Sequence, residues 1–116
     1  MLTDETRYRI LKLLAAEPRA SQRRIAGELG ISLGRVNYCL RALVSKGVVK
    51  VNNFRGSNNK RAYLYLLTPR GIEEKAALTA RFLKVKMQEY EILRQELEEL
   101  KREADALGRR GGPRSE

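Results

Sequence analysis

Six residues spaced along one short stretch, Ser32, Gly34, Arg35, Asn37, Tyr38 and Arg41, have the chemistry to read a nucleic acid. An arginine can donate two parallel hydrogen bonds to guanine and an asparagine can pair with the edge of adenine, while Ser and Tyr hydroxyls hold phosphate or base groups. A second set, Ser21, Gln22, Arg23, Arg55, Lys60 and Arg61, carries the hydroxyl, amide and cationic groups that bind phosphate oxygens. No carboxylate interrupts the sequence between Leu29 and Glu73. A solvated surface normally mixes both signs, so an acid-free run of that length suits a polyanionic partner.

These residues need helices to aim them, and the stretch SQRRIAGELGISLGRVNYCLRALVSK supplies two. Ser21 is a good N-cap, Ile25, Ala26 and Leu29 follow at helical spacing, and Gly30 can take the left-handed conformation that ends a helix. Ser32 offers a second cap, and Val36, Leu40, Leu43 and Val44 draw one buried stripe on the next helix. Two short helices joined by a Gly-containing turn form a helix-turn-helix, whose second helix enters the major groove in DNA-binding versions. The six base-reading candidates fall outside the stripe. The competing reading takes the motif as a protein docking module, with Arg35 and Arg41 as ordinary solubilising charges.

The flanking elements complete the domain. Thr3 caps a first helix over 3–16, in which Tyr8, Ile10, Leu11, Leu13 and Leu14 are apolar, and Asp4 and Glu5 sit where the helix dipole favours them. Pro18 breaks it. Lys46 and Gly47 close the recognition helix, and the period then changes to that of two strands, 48–52 and 62–68, around the loop NFRGSNNKR. Every charge in that loop is positive, which is the composition of a wing reaching phosphates or the minor groove beside the helix.

Thr68 and Pro69 start a last helix, expected to run without interruption to Gly108, about 39 residues or about 58 Å. Its apolar residues follow a heptad, with Ala76, Leu83, Tyr90, Leu97 and Ala104 at a and Ile72, Thr79, Lys86, Leu93, Leu100 and Leu107 at d. Glu89, Glu96 and Glu103 fall at g, and Arg94 and Lys101 at e. A parallel pair sets Glu89 against Arg94 and Glu96 against Lys101 of a partner, so a parallel homodimer is expected, joined through Leu83, Tyr90, Leu93, Leu97, Leu100 and Leu107. In the alternative the helix folds back on its own domain, using Phe82, Val85 and Met87. The fold class is therefore mainly α with a small β-hairpin. A winged helix-turn-helix over 1–68 precedes a coiled-coil helix over 69–107 and a disordered tail over 108–116.

Charge follows this division. The chain carries net +10, of which residues 1–68 hold +9 (13 Lys and Arg against 4 Asp and Glu) and residues 69–116 hold +1 (11 against 10). The excess lies where the nucleic-acid face is expected. No apolar run approaches the roughly 20 residues of a membrane span, and the start MLTDETRYRI lacks the form of a secretion signal, so no membrane partner and a cytoplasmic location are expected. One cysteine and no histidine leave no metal site, and neither a cofactor fingerprint nor a catalytic constellation is present. Cys39 reads as a small residue at the edge of the core, or else as a redox switch whose pKa Arg35 and Arg41 would lower. Tyr8, Phe54, Tyr63 and Phe82 could line an effector pocket but equally suit a core, so the effector is unknown.

The segments LTDETRYRILKLLAAEP, SQRRIAGELGISLGRVNYCLRALVSKGVVKVNNF and YLYLLTPRGIEEKAALTARFLKVKMQEYEIL resemble the small MarR-type winged-helix regulators associated with bacterial exopolysaccharide gene clusters. The resemblance covers about residues 2–105. It implies a bacterial DNA-binding transcriptional regulator, not an enzyme, acting on double-stranded DNA and concerned with capsule or exopolysaccharide genes. Typical MarR proteins have a long helix ahead of the position of Thr3 that helps form the dimer. Here the C-terminal coiled coil is expected to take that part, and two recognition helices would read a palindrome with half-sites about 34 Å apart.

Overall fold

The computed structural model describes residues 2–55 and 61–111; of 54, 55, 61, 62 and 110 only the backbone is described. Its elements run in the order α1 (Asp4–Ala16), α2 (Gln22–Leu29), α3 (Leu33–Ser45), β1 (Val49–Arg55), β2 (Arg61–Leu67) and α4 (Pro69–Gly111).

Each of the first three helices starts on a hydroxyl cap. Thr3, Ser21 and Ser32 are extended in backbone and accept from the amides of Thr6, Arg24 and Arg35. These bonds satisfy donors the helix cannot pair internally. Gly30, at φ 69°, ends α2 with both its own amide and that of Ile31 on the Ala26 carbonyl. Arg9 of α1 closes the same end by donating to the carbonyls of Glu28 and Leu29, the favourable placement for a cation at a helix C-terminus. At the end of α3, the Gly47 amide bonds the Val44 carbonyl and the Val48 amide bonds Leu43. This is a Schellman closure, and it requires the positive φ of 77° that Gly47 adopts.

The strands pair antiparallel from Val49↔Leu67 to Arg55↔Arg61. Against the 48–52 and 62–68 expected from residue types, they leave out Val48 and Thr68 and extend toward the loop to Arg55 and Arg61, because backbone pairing carries the ladder through Asn53 and Arg55, whose side chains do not announce a strand. Val49, Val51, Tyr63 and Tyr65 lie on one face, following the alternation of a strand. The Tyr65 amide also bonds the Pro18 carbonyl at 3.0 Å, tying the α1–α2 turn to β2.

One compact unit ends at Ala80. Its core gathers Ile10, Leu11 and Leu14 from α1, Ile25 from α2, and Val36, Cys39, Leu40 and Leu43 from α3. Val48, Val49, Tyr65 and Leu78 complete it. Val44, placed by its spacing in the buried stripe of α3, is 39% exposed. Cys39 takes its place, so the stripe runs through 36, 39, 40 and 43. The start of α4 belongs to this unit. The Thr68 hydroxyl accepts from the Gly71 amide and donates to the Gly47 carbonyl at 2.6 Å. Gly71 is pressed against the turn that follows α3: a Cβ there would overlap the Val48 carbonyl oxygen and lie 3.0 Å from its carbon.

The second unit, from Arg81 onward, is the remainder of α4. The helix does not stop at Gly108 but continues to Gly111, which places 108–111 in a helix where an irregular tail was expected. One glycine costs only about 1 kcal/mol relative to alanine, too little to end so long a helix. Val85 and Met87 are exposed, as are Leu83, Tyr90, Leu93, Leu97, Leu100 and Leu107 of the heptad seam. Ion pairs within the helix join Lys86 to Glu89 at 3.2 Å and Arg94 to both Glu91 and Glu98. Among the described residues no helix is long and apolar enough to cross a membrane.

Candidate nucleic-acid interface

The burial of Val36, Cys39, Leu40 and Leu43 decides which side of α3 faces outward. All six base-reading candidates, Ser32, Gly34, Arg35, Asn37, Tyr38 and Arg41, are exposed. Gly34, Asn37, Tyr38 and Arg41 share one shallow depression, as their spacing of three, one and three residues requires on a helix. Ser32 stands at the N-terminal end of this face. Its hydroxyl oxygen accepts from the Arg35 amide at 3.1 Å, leaving its proton free to be given outward.

The phosphate candidates divide into two groups. Ser21 and Arg23, both exposed, stand at the start of α2, where unpaired amides favour an anion. Gln22 beside them is partly covered, and its side-chain amide donates to the Tyr65 hydroxyl at 3.2 Å. Arg55 and Arg61 face each other on the last described rung of the hairpin. Lys60 lies outside the described residues.

Nearby carboxylates are already engaged. Glu17 and Glu28 both pair with Arg24, Glu17 through two oxygens at 3.0 and 3.2 Å and Glu28 at 3.0 Å. The hydrogen bond from Arg24 holds the Glu17 carboxyl below the usual carboxylate range. Both arginines of that turn are exposed, but Arg24 is occupied by these acids, whereas Arg23 takes part in neither pair.

Cys39 stands apart from this surface. It is fully buried, deeper than the core-edge position its spacing suggests. Burial pushes its thiol pKa up, and the pull of Arg35 in the other direction is the smaller effect. The alternative reading, in which Arg35 and Arg41 lower the pKa, therefore does not hold, and with it goes the argument for a reactive thiolate.

A second depression, of about 460 Å³, lies between α3 and the hairpin, lined by Asn37, Leu40, Arg41, Val44, Ser45, Gln22, Val51, Tyr63 and Tyr65. Asn37 and Arg41 are common to both depressions and form the ridge between them. Of this lining, the sequence marked Tyr63 as a possible pocket residue and Val44 as part of a buried stripe, whereas Ser45, Val51 and Tyr65 were not picked out. The alternation of Tyr63 and Tyr65 along β2 put them on one face, but nothing in the sequence showed that α3 would leave part of that face uncovered.

Known proteins place this arrangement. The family profile for winged helix-turn-helix DNA-binding domains matches residues 3–50, the span of α1 to α3 and the start of β1. No curated protein sequence matches the chain. Among solved structures, a cysteine-to-serine variant of Lactococcus lactis ZitR superposes with a TM-score of 0.66 at 24% identity, over 91% of this chain and 73% of that one. A MarR/EmrR family transcriptional regulator from Acinetobacter sp. ADP1 gives 0.59 at 25% identity, over 87% and 75%. The PcaV transcriptional regulator from Streptomyces coelicolor, solved with its natural ligand, gives 0.60 at 21% identity, over 87% and 74%. With its capped helix pair, adjoining hairpin and long final helix, the chain carries a winged helix-turn-helix match over residues 3–50 and has the fold seen in these MarR-family transcriptional regulators.

Proposed function

We propose that this protein is a transcriptional regulator that binds double-stranded DNA as a parallel homodimer and reads a palindromic operator. The observation that carries the reading is the outward face of α3. It sets Arg35, Asn37, Tyr38 and Arg41 in the open, within a run of sequence that contains no acid from Gly30 to Ile72. Base choice falls to Ser32, Gly34, Arg35, Asn37, Tyr38 and Arg41. Ser21, Gln22, Arg23, Arg55, Lys60 and Arg61 supply phosphate contacts, which provide most of the affinity and make it salt-dependent.

The dimer is supported by the seam of α4. Leu83, Tyr90, Leu93, Leu97, Leu100 and Leu107 are each about half exposed or more and follow the heptad. A single chain leaves this apolar stripe in water, and a second copy buries it. In the parallel arrangement Glu89 and Glu96 meet Arg94 and Lys101 of the partner. Glu89 and Arg94 would then exchange or share the pairs they hold within their own helix. The likeness of the quoted segments to exopolysaccharide-associated regulators nominates such gene clusters as the place to seek the operator.

A mobility-shift titration on a random DNA pool, run at low and high salt, tests the function. Affinity should fall steeply as salt rises and be lost in Arg35→Ala. A protein-docking scaffold would show neither behaviour, and binding indifferent to both salt and Arg35 would overturn the regulator reading.

A further inference from the structure

The inner face of the hairpin is longer than the helix that covers it. Val49 and Tyr65 are buried, but Val51 and Tyr63 on the same face are 38% and 53% exposed, and Val44 of α3 looks across at them. The groove so formed is apolar along its floor. Along its edges it carries Arg41, Asn37, Ser45, the Gln22 amide and the Tyr65 hydroxyl, with no acid among the lining residues. Gln22 holds the Tyr65 oxygen from one side, which leaves the hydroxyl proton to point elsewhere. Tyr63 lies against Tyr65, ring centroids 6.2 Å apart and planes 30° from parallel, so its exposed ring is supported from beneath.

We infer that this groove seats one strand of the DNA backbone, the deoxyribose rings packing on Tyr63, Val51 and Val44 while Arg41, Ser45 and the Tyr65 hydroxyl reach the adjoining phosphate oxygens. The inference rests on the DNA-binding reading above and adds a site to it. A helix lying in the major groove and a hairpin reaching the neighbouring minor groove are separated by one sugar-phosphate ridge, and that ridge has to run between them. The space between α3 and the hairpin is this groove. Its composition fits the ridge, since a sugar is apolar on its carbon faces and a phosphate is an anion. It is continuous with the base-reading face, because Asn37 and Arg41 belong to both. A groove that served only to hold a base would have no need of an exposed ring and a valine, Tyr63 and Val51, on the far side from α3.

The test compares Tyr63→Ser, Tyr63→Phe, Arg41→Ala and Arg35→Ala in the full-length protein, on a DNA fragment selected by the wild type. Tyr63 is half exposed, so its replacement should leave the thermal melt unchanged, and that is checked first. Tyr63→Ser should bind roughly tenfold more weakly with the same dependence on salt, because it removes an uncharged contact. Tyr63→Phe should restore binding, and Arg41→Ala should reduce the slope of log affinity against log salt by about one. Hydroxyl-radical footprinting should show deoxyriboses between the major- and minor-groove contacts protected by the wild type and uncovered with Tyr63→Ser. Unchanged affinity and footprint in Tyr63→Ser, alongside lost binding in Arg35→Ala, would overturn this inference and leave the DNA-binding reading intact. Tighter binding in Tyr63→Ser would also overturn it, by showing that the groove serves another occupant. Failure of the wild type to bind DNA would remove both.

Discussion

The residues that define the surface behave differently from those that define the core, and Cys39 shows this most directly. It sits between Tyr38 and Leu40 on the recognition helix, yet it is sealed from solvent while its neighbour Tyr38 is open. A thiol reagent should therefore leave Cys39 unmodified in the native protein at neutral pH and react only on unfolding, measured by thiol titration with and without denaturant. Burial raises its folded pKa above the reference of 9.0. Any stability linked to this group is present below that value and is lost as pH rises beyond it. Denaturant midpoints should accordingly fall above pH 9 by more in the wild type than in Cys39→Ala. The sequence showed the position of this cysteine on the helix but left its depth open. Spacing favours 40 and 44 equally with 39, and only the packing of α2 and β1 against α3 decides that Val44 is left outside.

At the scale of elements, most starts and stops were legible because caps are local chemistry. Thr3, Ser21, Ser32 and Thr68 each bond an amide three residues ahead, and Gly30 and Gly47 adopt the positive φ their helix ends require. Replacing Gly30 by Ala should destabilise the fold by about 1–2 kcal/mol through left-handed strain, although a Cβ there has open space. Gly71→Ala should cost about 1–3 kcal/mol or more for the opposite reason, an overlap with the Val48 backbone at an ordinary φ. Urea unfolding of the two variants separates these causes if a Gly30→Asn protein recovers stability, since Asn tolerates the left-handed region. What stayed hidden were the links that join residues far apart in the chain. Gln22 to Tyr65, Tyr65 to Pro18 and Gly71 to Val48 each depend on the finished fold. The extra strand residues and the passage of α4 through Gly108 were missed because neighbours in space, or a helix already long, outweigh a weak local preference.

For the molecule as a whole, the length of α4 and its apolar repeat were readable, while the share of its first turns in the preceding core was not. Leu78 is buried in the first unit, so the early turns of α4 belong to the fold that precedes them. Ending the winged helix at residue 68, as the sequence suggests, would take Leu78 out of that core, so a dissection of the protein should be made after Ala80. In the full-length chain, the double substitution Leu93→Asp and Leu97→Asp should shift sedimentation from dimer to monomer. It should also weaken binding to a two-half-site operator far more than binding to a single half-site. A dimer unaffected by both charges would place the contact elsewhere.

The meeting of Gly71 with the Val48 carbonyl has a consequence for descent as well as for folding. Only a hydrogen atom fits between the two, so across related chains this column should remain glycine. Arg70 beside it is open to water and should be free to drift.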